Sequence, residues 1–225
     1  MAAGQRTDAR ASEALEHLCR NYWYPLYAYV RRRGYSSGDA EDLTQDFFAR
    51  FLAKEYIERA DAARGRFRSF LLSCLKNALA EQHRHAGRLK RGGGQSLISW
   101  DSQTAEERYR LEPADPLTPE KIYDRRWALT LLENALARLG DEQSAAGKQD
   151  AFALLRDCLW GEGRETDYAD MAVRLGTTEG ALKVAAHRLR QRYRELLREE
   201  VAHTVATVAE TDAELRYLIS IIRGH

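Results

Sequence analysis

Apolar residues recur at helical spacing on both sides of a proline-bearing acidic stretch, and almost nowhere do they alternate as a half-buried strand requires. Within residues 39–52, Leu43, Phe47, Phe48, Phe51 and Leu52 fall on one helix face. Ser36 and Ser37 precede them as cap-like residues, with Asp39, Glu41 and Asp42 in the first turn. In the second half, Thr118, Pro119 and Glu120 supply an N-cap, a proline at the first helical position and an early acid. Ile122, Leu129, Leu132, Leu136 and Leu139 then form one stripe, which Gly140 is expected to stop. Only residues 97–100 have any strand character, so the chain is expected to be all-α.

The prolines place the boundary between two helical domains. Pro113, Pro116 and Pro119 cluster downstream of Gly92, Gly93 and Gly94, and residues 101–124 hold seven acids against three bases, a net of −4, without apolar periodicity. The expected division is a first domain at 11–92, a linker at 93–118, a second domain at 119–200 and a helical extension at 201–225. In the extension Thr211 and Glu214 are spaced as a capping box, ahead of a stripe of Leu215, Leu218, Ile219 and Ile222. That stripe needs cover, and the expected surface is the second domain, beside Trp127 or Trp160, with a separate protein as the alternative.

Charge is segregated although the whole chain carries only +1. Residues 64–91 contain eight bases (Arg64, Arg66, Arg68, Lys76, Arg84, Arg88, Lys90, Arg91) and one acid, Glu81, a local +7. Residues 182–198 contain six bases and one acid, a local +5, whereas residues 39–55 hold five acids and two bases. Two basic surfaces suit a polyanion, because each phosphate neutralised releases counterions. An acidic amphipathic helix would be repelled by the same backbone and suits a protein partner instead.

Residues 168–182 read as a short helix, a glycine turn and a second helix. Ala172 permits a close crossing, Gly176 supplies the positive φ, and Leu182 returns to the core. Thr177 or Thr178 caps the second helix, whose N-terminal end would bring Thr178, Glu179 and Lys183 to base edges in a major groove, with arginines further along on phosphates.

Other chemistries find no support. Cys19, Cys74 and Cys158 are far apart and outside any CxxC spacing, and His83 and His85 near Glu81 lie on different helix faces without a third ligand, so no metal and no cofactor is expected. No catalytic triad and no phosphate-binding glycine loop is readable, so an enzyme is not expected. No apolar run approaches the ~18 residues of a membrane span, and residues 1–10 lack a secretory apolar segment. A cytoplasmic protein without membrane insertion is the expectation.

Three segments together resemble bacterial RNA polymerase sigma factors of the extracytoplasmic-function (ECF) type. Residues 39–52 (DAEDLTQDFFARFL) resemble the family's core-polymerase-binding helix, which implies that Asp39, Glu41, Asp42, Gln45, Asp46 and Arg50 contact polymerase. Residues 67–72 (FRSFLL) with 76–80 (KNALA) resemble the segment that melts promoter DNA and reads its minus-ten element, implying roles for Arg64, Arg66, Phe67, Arg68, Lys76, Asn77 and Arg84. Residues 179–183 with 187–190 are similar to the recognition helix for the minus-thirty-five element, implying Thr177, Thr178, Glu179, Lys183, His187, Arg188 and Arg190. Core RNA polymerase and promoter DNA are then the expected partners, and an anti-sigma factor is a further candidate. The competing readings are a helix-turn-helix regulator that binds duplex DNA alone, or a helical adaptor.

Overall fold

The computed structural model describes residues 18–51, 66–86, 102–110, 117–160, 168–205 and 207–224, and among them all regular structure is helical. The helices are α1 (18–32), α2 (Ser37–Arg50), α3 (Phe67–Ala86), α4 (Ser102–Arg110), α5 (Pro119–Ala145), α6 (Gln149–Leu155), α7 (Tyr168–Leu175), α8 (Glu179–Ala202) and α9 (Val208–Arg223), with a 3-10 segment at Arg156–Trp160. The chain divides into two units, Met1–Thr130 with Tyr217–His225 and Leu131–Arg216. The expected extent of the linker, 93–118, thus covers α4, and both α5 and α9 contribute residues to each unit.

In the first unit α1 runs through Pro25, which has no N–H to return to the carbonyl of Asn21. Packing offsets that loss, since every residue from Asn21 to Val30 is buried. Gly34, at φ 93°, makes the turn into α2. Ser36 caps α2 as its sequence suggests, accepting from the Asp39 N–H at 3.1 Å. Phe47 and Phe48 from α2, Phe51 directly after it, Leu71, Leu75 and Leu79 from α3, and Ile122, Tyr123 and Trp127 from α5 are all buried.

Helix α4 docks by polar contacts. Its Glu106 accepts from the Tyr27 hydroxyl at 2.6 Å and from two Arg31 nitrogens at 2.9 and 3.0 Å, while Ala105 is its buried apolar residue. Arg31 also lies 4.9 Å from the Tyr109 ring centroid, and Arg108 lies 4.3 Å from that of Tyr24. Burial alone would push the Glu106 carboxyl up, but the Tyr27 and Arg31 hydrogen bonds and the Arg31 charge outweigh it and hold the group below the usual carboxylate range. A depressed folded pKa contributes stability that is present above the ordinary carboxylate value of about 4 and is lost as pH falls through the depressed one. Acid titration of the native chain should therefore loosen α4, seen as lost amide protection over 102–110, and Glu106→Gln should flatten that acid dependence. An acid response identical in the variant would assign it to other carboxylates.

The second unit is built on Ala135, Leu139, Leu155, Ala172, Leu182, Ala186, Leu189, Tyr193 and Leu196, with Cys158 among them. Helix α5 does not stop at Gly140. It continues to Ala145 and ends before Gly147, at φ 67°, and the absent Gly140 side chain leaves room for Phe152, whose ring would stand 3.3 Å from a Cβ there. Arg138 bridges from α5 to α8, meeting Glu199 at 2.6 Å and the buried Glu200 at 2.8 Å. Arg192 returns a forked contact to Glu142 at 2.7 and 2.9 Å.

The capping box of α9 sits one turn earlier than expected. Thr207 accepts from the Glu210 N–H at 3.3 Å while Glu210 accepts from the Thr207 N–H at 3.1 Å. Thr211 and Glu214 instead lie inside the helix, both buried. The spacing TxxE occurs twice in succession, at 207–210 and 211–214, and pattern alone does not choose between them. The apolar stripe is also split, because Leu218 is buried while Ile219 and Ile222 are exposed.

Candidate functional site

Helix α2 presents its charged side chains as a stripe. Asp42, Asp46 and Arg50 are exposed at successive i, i+4 positions, with Asp39 exposed in the first turn. Arg50 reaches Glu81 of α3 at 3.6 Å. Glu41 and Gln45 are half-buried and bonded to each other at 3.2 Å. Beside the stripe a shallow groove between α2 and α3 is lined by Leu43, Asp46, Phe47, Arg50, Leu75 and Leu79. A groove with an apolar floor and with Asp46 and Arg50 at its edge can take an element that is itself apolar on one face and charged at its rim.

Helix α3 carries the first basic surface, and the structure distributes its residues unevenly. Arg66 and Asn77 are exposed, Lys76 is half-buried, and Arg64 lies outside the described residues, as does the side chain of Arg84. Phe67 is half-buried in an aromatic cluster, with ring centroids 5.6 Å from Tyr22, 6.3 Å from Phe51 and 6.4 Å from Phe70. Its ring is therefore engaged in packing. Arg68 is 5% exposed and paired with Asp124 of α5. Its backbone carbonyl accepts from the Tyr123 hydroxyl at 3.0 Å. Lys76 meets Glu120 at 2.7 Å. That bond is the main reason the Glu120 carboxyl lies below its ordinary range.

The second basic surface lies on α7, its turn and α8. Gly176 takes φ 60°, and Thr177 N–H returns to the Ala172 carbonyl at 2.9 Å, so the glycine at this place makes the reversal possible. Thr178 caps α8, accepting from the Ala181 N–H at 3.2 Å. Ala172, Leu182, Ala186 and Leu189 face the core, which leaves Thr177, Thr178, Glu179, Lys183, Val184, His187 and Arg188 exposed. Lys183 is held by Glu179 at 2.6 Å, and that hydrogen bond raises its pKa. Arg190 Nε donates to the Cys158 carbonyl at 2.8 Å and anchors α8 to the 3-10 segment. Val184 is exposed among the polar residues of this face, where an apolar side chain suits a thymine methyl group.

Asp124 and Tyr217, which meet Arg68 of α3, are not assigned a role by sequence reasoning. The net −4 of residues 101–124, opposite in sign to the +7 of residues 64–91, was the signal that points to Asp124 and Glu120. Nothing in the pattern of the extension distinguishes Tyr217 from its neighbours. Among the described residues, no group of three or more His, Cys, Asp or Glu is placed to hold a metal ion, and no helix is long and apolar enough to cross a membrane.

Residues 18–89 match the family model of sigma-70 region 2, a span that takes in α1, α2 and α3 and about a third of the chain. No curated protein and no solved structure gives a significant match. A sigma-70 region 2 belongs to transcription initiation factors, which act on promoter DNA together with RNA polymerase and are not enzymes.

Proposed function

We propose that the chain is a bacterial sigma factor of the ECF type, acting in the cytoplasm on core RNA polymerase, with α2 as its polymerase-binding element. The observation that carries this reading is the coincidence of the region 2 match with the α1–α3 assembly, whose α2 displays Asp42, Asp46 and Arg50 outward beside an apolar groove. In this reading α3 serves the minus-ten element, with Arg66, Lys76 and Asn77 on its surface. The α7 turn and the α8 face read the minus-thirty-five element through Thr178, Glu179, Lys183, Val184 and His187, while Arg188 sits on phosphate. Polymerase supplies the catalytic site, so no cofactor is called for, and an anti-sigma factor would compete for the same α2 face.

The covered state of Arg68 favours one second reading, in which the α7–α8 pair binds duplex DNA by itself as a helix-turn-helix regulator. Charge reversal on α2 separates the two. The double substitution Asp42→Lys with Asp46→Lys changes four units of charge on an exposed stripe without touching the core. Association with purified core polymerase should weaken at least tenfold, about 1.4 kcal/mol or more. Helicity by circular dichroism should stay the same. Co-elution equal to that of the unaltered chain contradicts the assignment of α2.

A further inference from the structure

The basic start of α3 is covered by acidic and aromatic side chains of this same chain, and the contacts are those a nucleic-acid strand would make. The Arg68 guanidinium pairs with one Asp124 oxygen, and the Tyr217 hydroxyl donates to the other at 2.7 Å. The same guanidinium lies 4.1 Å from the Tyr217 ring centroid and 5.1 Å from that of Trp127. Arg66 stands over the Tyr217 ring as well, at 5.0 Å. Further along α3, Lys76 meets Glu120, which lies one turn before Asp124 on α5 and so ~6 Å from it along the axis.

Each contact has a counterpart in strand binding. A carboxylate on a guanidinium or ammonium stands where a phosphate oxygen would, and a flat ring against a guanidinium stands where a base would stack. Buried charge pairs are a poor device for holding helices together, since well-packed apolar residues of similar volume do so as well or better. Three cations of one surface are nevertheless met by side chains drawn from α5 and α9.

We propose that Glu120, Asp124 and Tyr217 act as an internal substitute for single-stranded DNA on the α3 basic face, so that the strand and these side chains compete for Arg66, Arg68 and Lys76. The inference rests on the reading of α3 as the minus-ten surface. It adds that the free chain is masked there, and that whatever frees the end of α9 raises strand affinity. Because the competition is reciprocal, a bound strand must loosen the α9 end by the same factor that the α9 end weakens the strand.

The test uses the full chain and a fluorescent oligothymidine, read by anisotropy over a salt series without polymerase. Tyr217→Ala and, separately, Asp124→Asn should bind the oligonucleotide about tenfold more tightly than the unaltered chain. Each further phosphate that a released arginine takes up should steepen the salt dependence by ~0.7, the single-strand value. Adding Arg68→Gln to Tyr217→Ala should cancel most of the gain. In the unaltered chain, saturating oligothymidine should lower amide protection over residues 217–223, a readout that needs no variant to fold. Affinity unchanged in both variants, or α9 protection unchanged on strand binding, overturns the proposal and shows a clasp that serves stability alone. Absence of strand binding by every variant also overturns it, while association with core polymerase through α2, measured independently, still decides the sigma reading.

Discussion

Trp127→Ala is expected to destabilise the first unit by about 3–5 kcal/mol, the usual cost of emptying a large aromatic site in a packed core. Trp127 is fully buried, as is its helix neighbour Tyr123, and its ring lies against the Arg68 guanidinium. The residue stands well outside the 18–89 span that matches region 2, yet it belongs to the same compact unit. The start of α5 is therefore part of this domain's core and not a tether to the next one. For a unit of this size each kcal/mol moves the melting temperature by a few °C, so the shift is measurable by thermal or urea unfolding. A loss under about 1 kcal/mol would show that α5 only rests on the α1–α3 assembly.

Arg138→Met should weaken the second unit by about 2–4 kcal/mol, because it removes the guanidinium that faces the buried Glu200 carboxylate. The arginine side chain itself is 40% exposed, so solvent screening sets the value below that of a fully buried pair. Replacing both partners, Arg138→Met with Glu200→Leu, should recover most of the loss, since an apolar pair leaves no charge to desolvate. A double-mutant cycle in urea isolates the coupling. Additive losses would mean that the two side chains stabilise α5 and α8 independently.

Local rules were legible from the sequence where one side chain acts on its own backbone. Ser36, Thr118 and Thr178 cap the helices they precede, with Thr118 Oγ accepting from the Lys121 N–H at 3.4 Å, and Gly176 takes the positive φ its turn needs. Features set by a partner far away in the chain were not legible. Gly140 looks like a stop, but the helix continues past it and its absent side chain leaves room for Phe152. Residues 102–110 look like linker because α4 holds on through Glu106 and Ala105, leaving no apolar stripe to detect. Arg68 and Arg190 count as positive charge in any sequence window, and only the fold shows that Asp124, Tyr217 and the Cys158 carbonyl already engage them. Asp42 and Asp46 were placed on the outer face of α2 by periodicity alone, and they are exposed there.

The most direct test of the account is initiation itself. Purified chain is added to core RNA polymerase on a library of genomic fragments, and run-off transcripts are compared with those of core enzyme alone. The account predicts discrete transcripts starting at a limited set of promoters, dependent on the chain and lost with the Asp42→Lys and Asp46→Lys pair. Transcripts no different from those of core enzyme alone, with the chain binding duplex DNA but not co-eluting with polymerase, would contradict it.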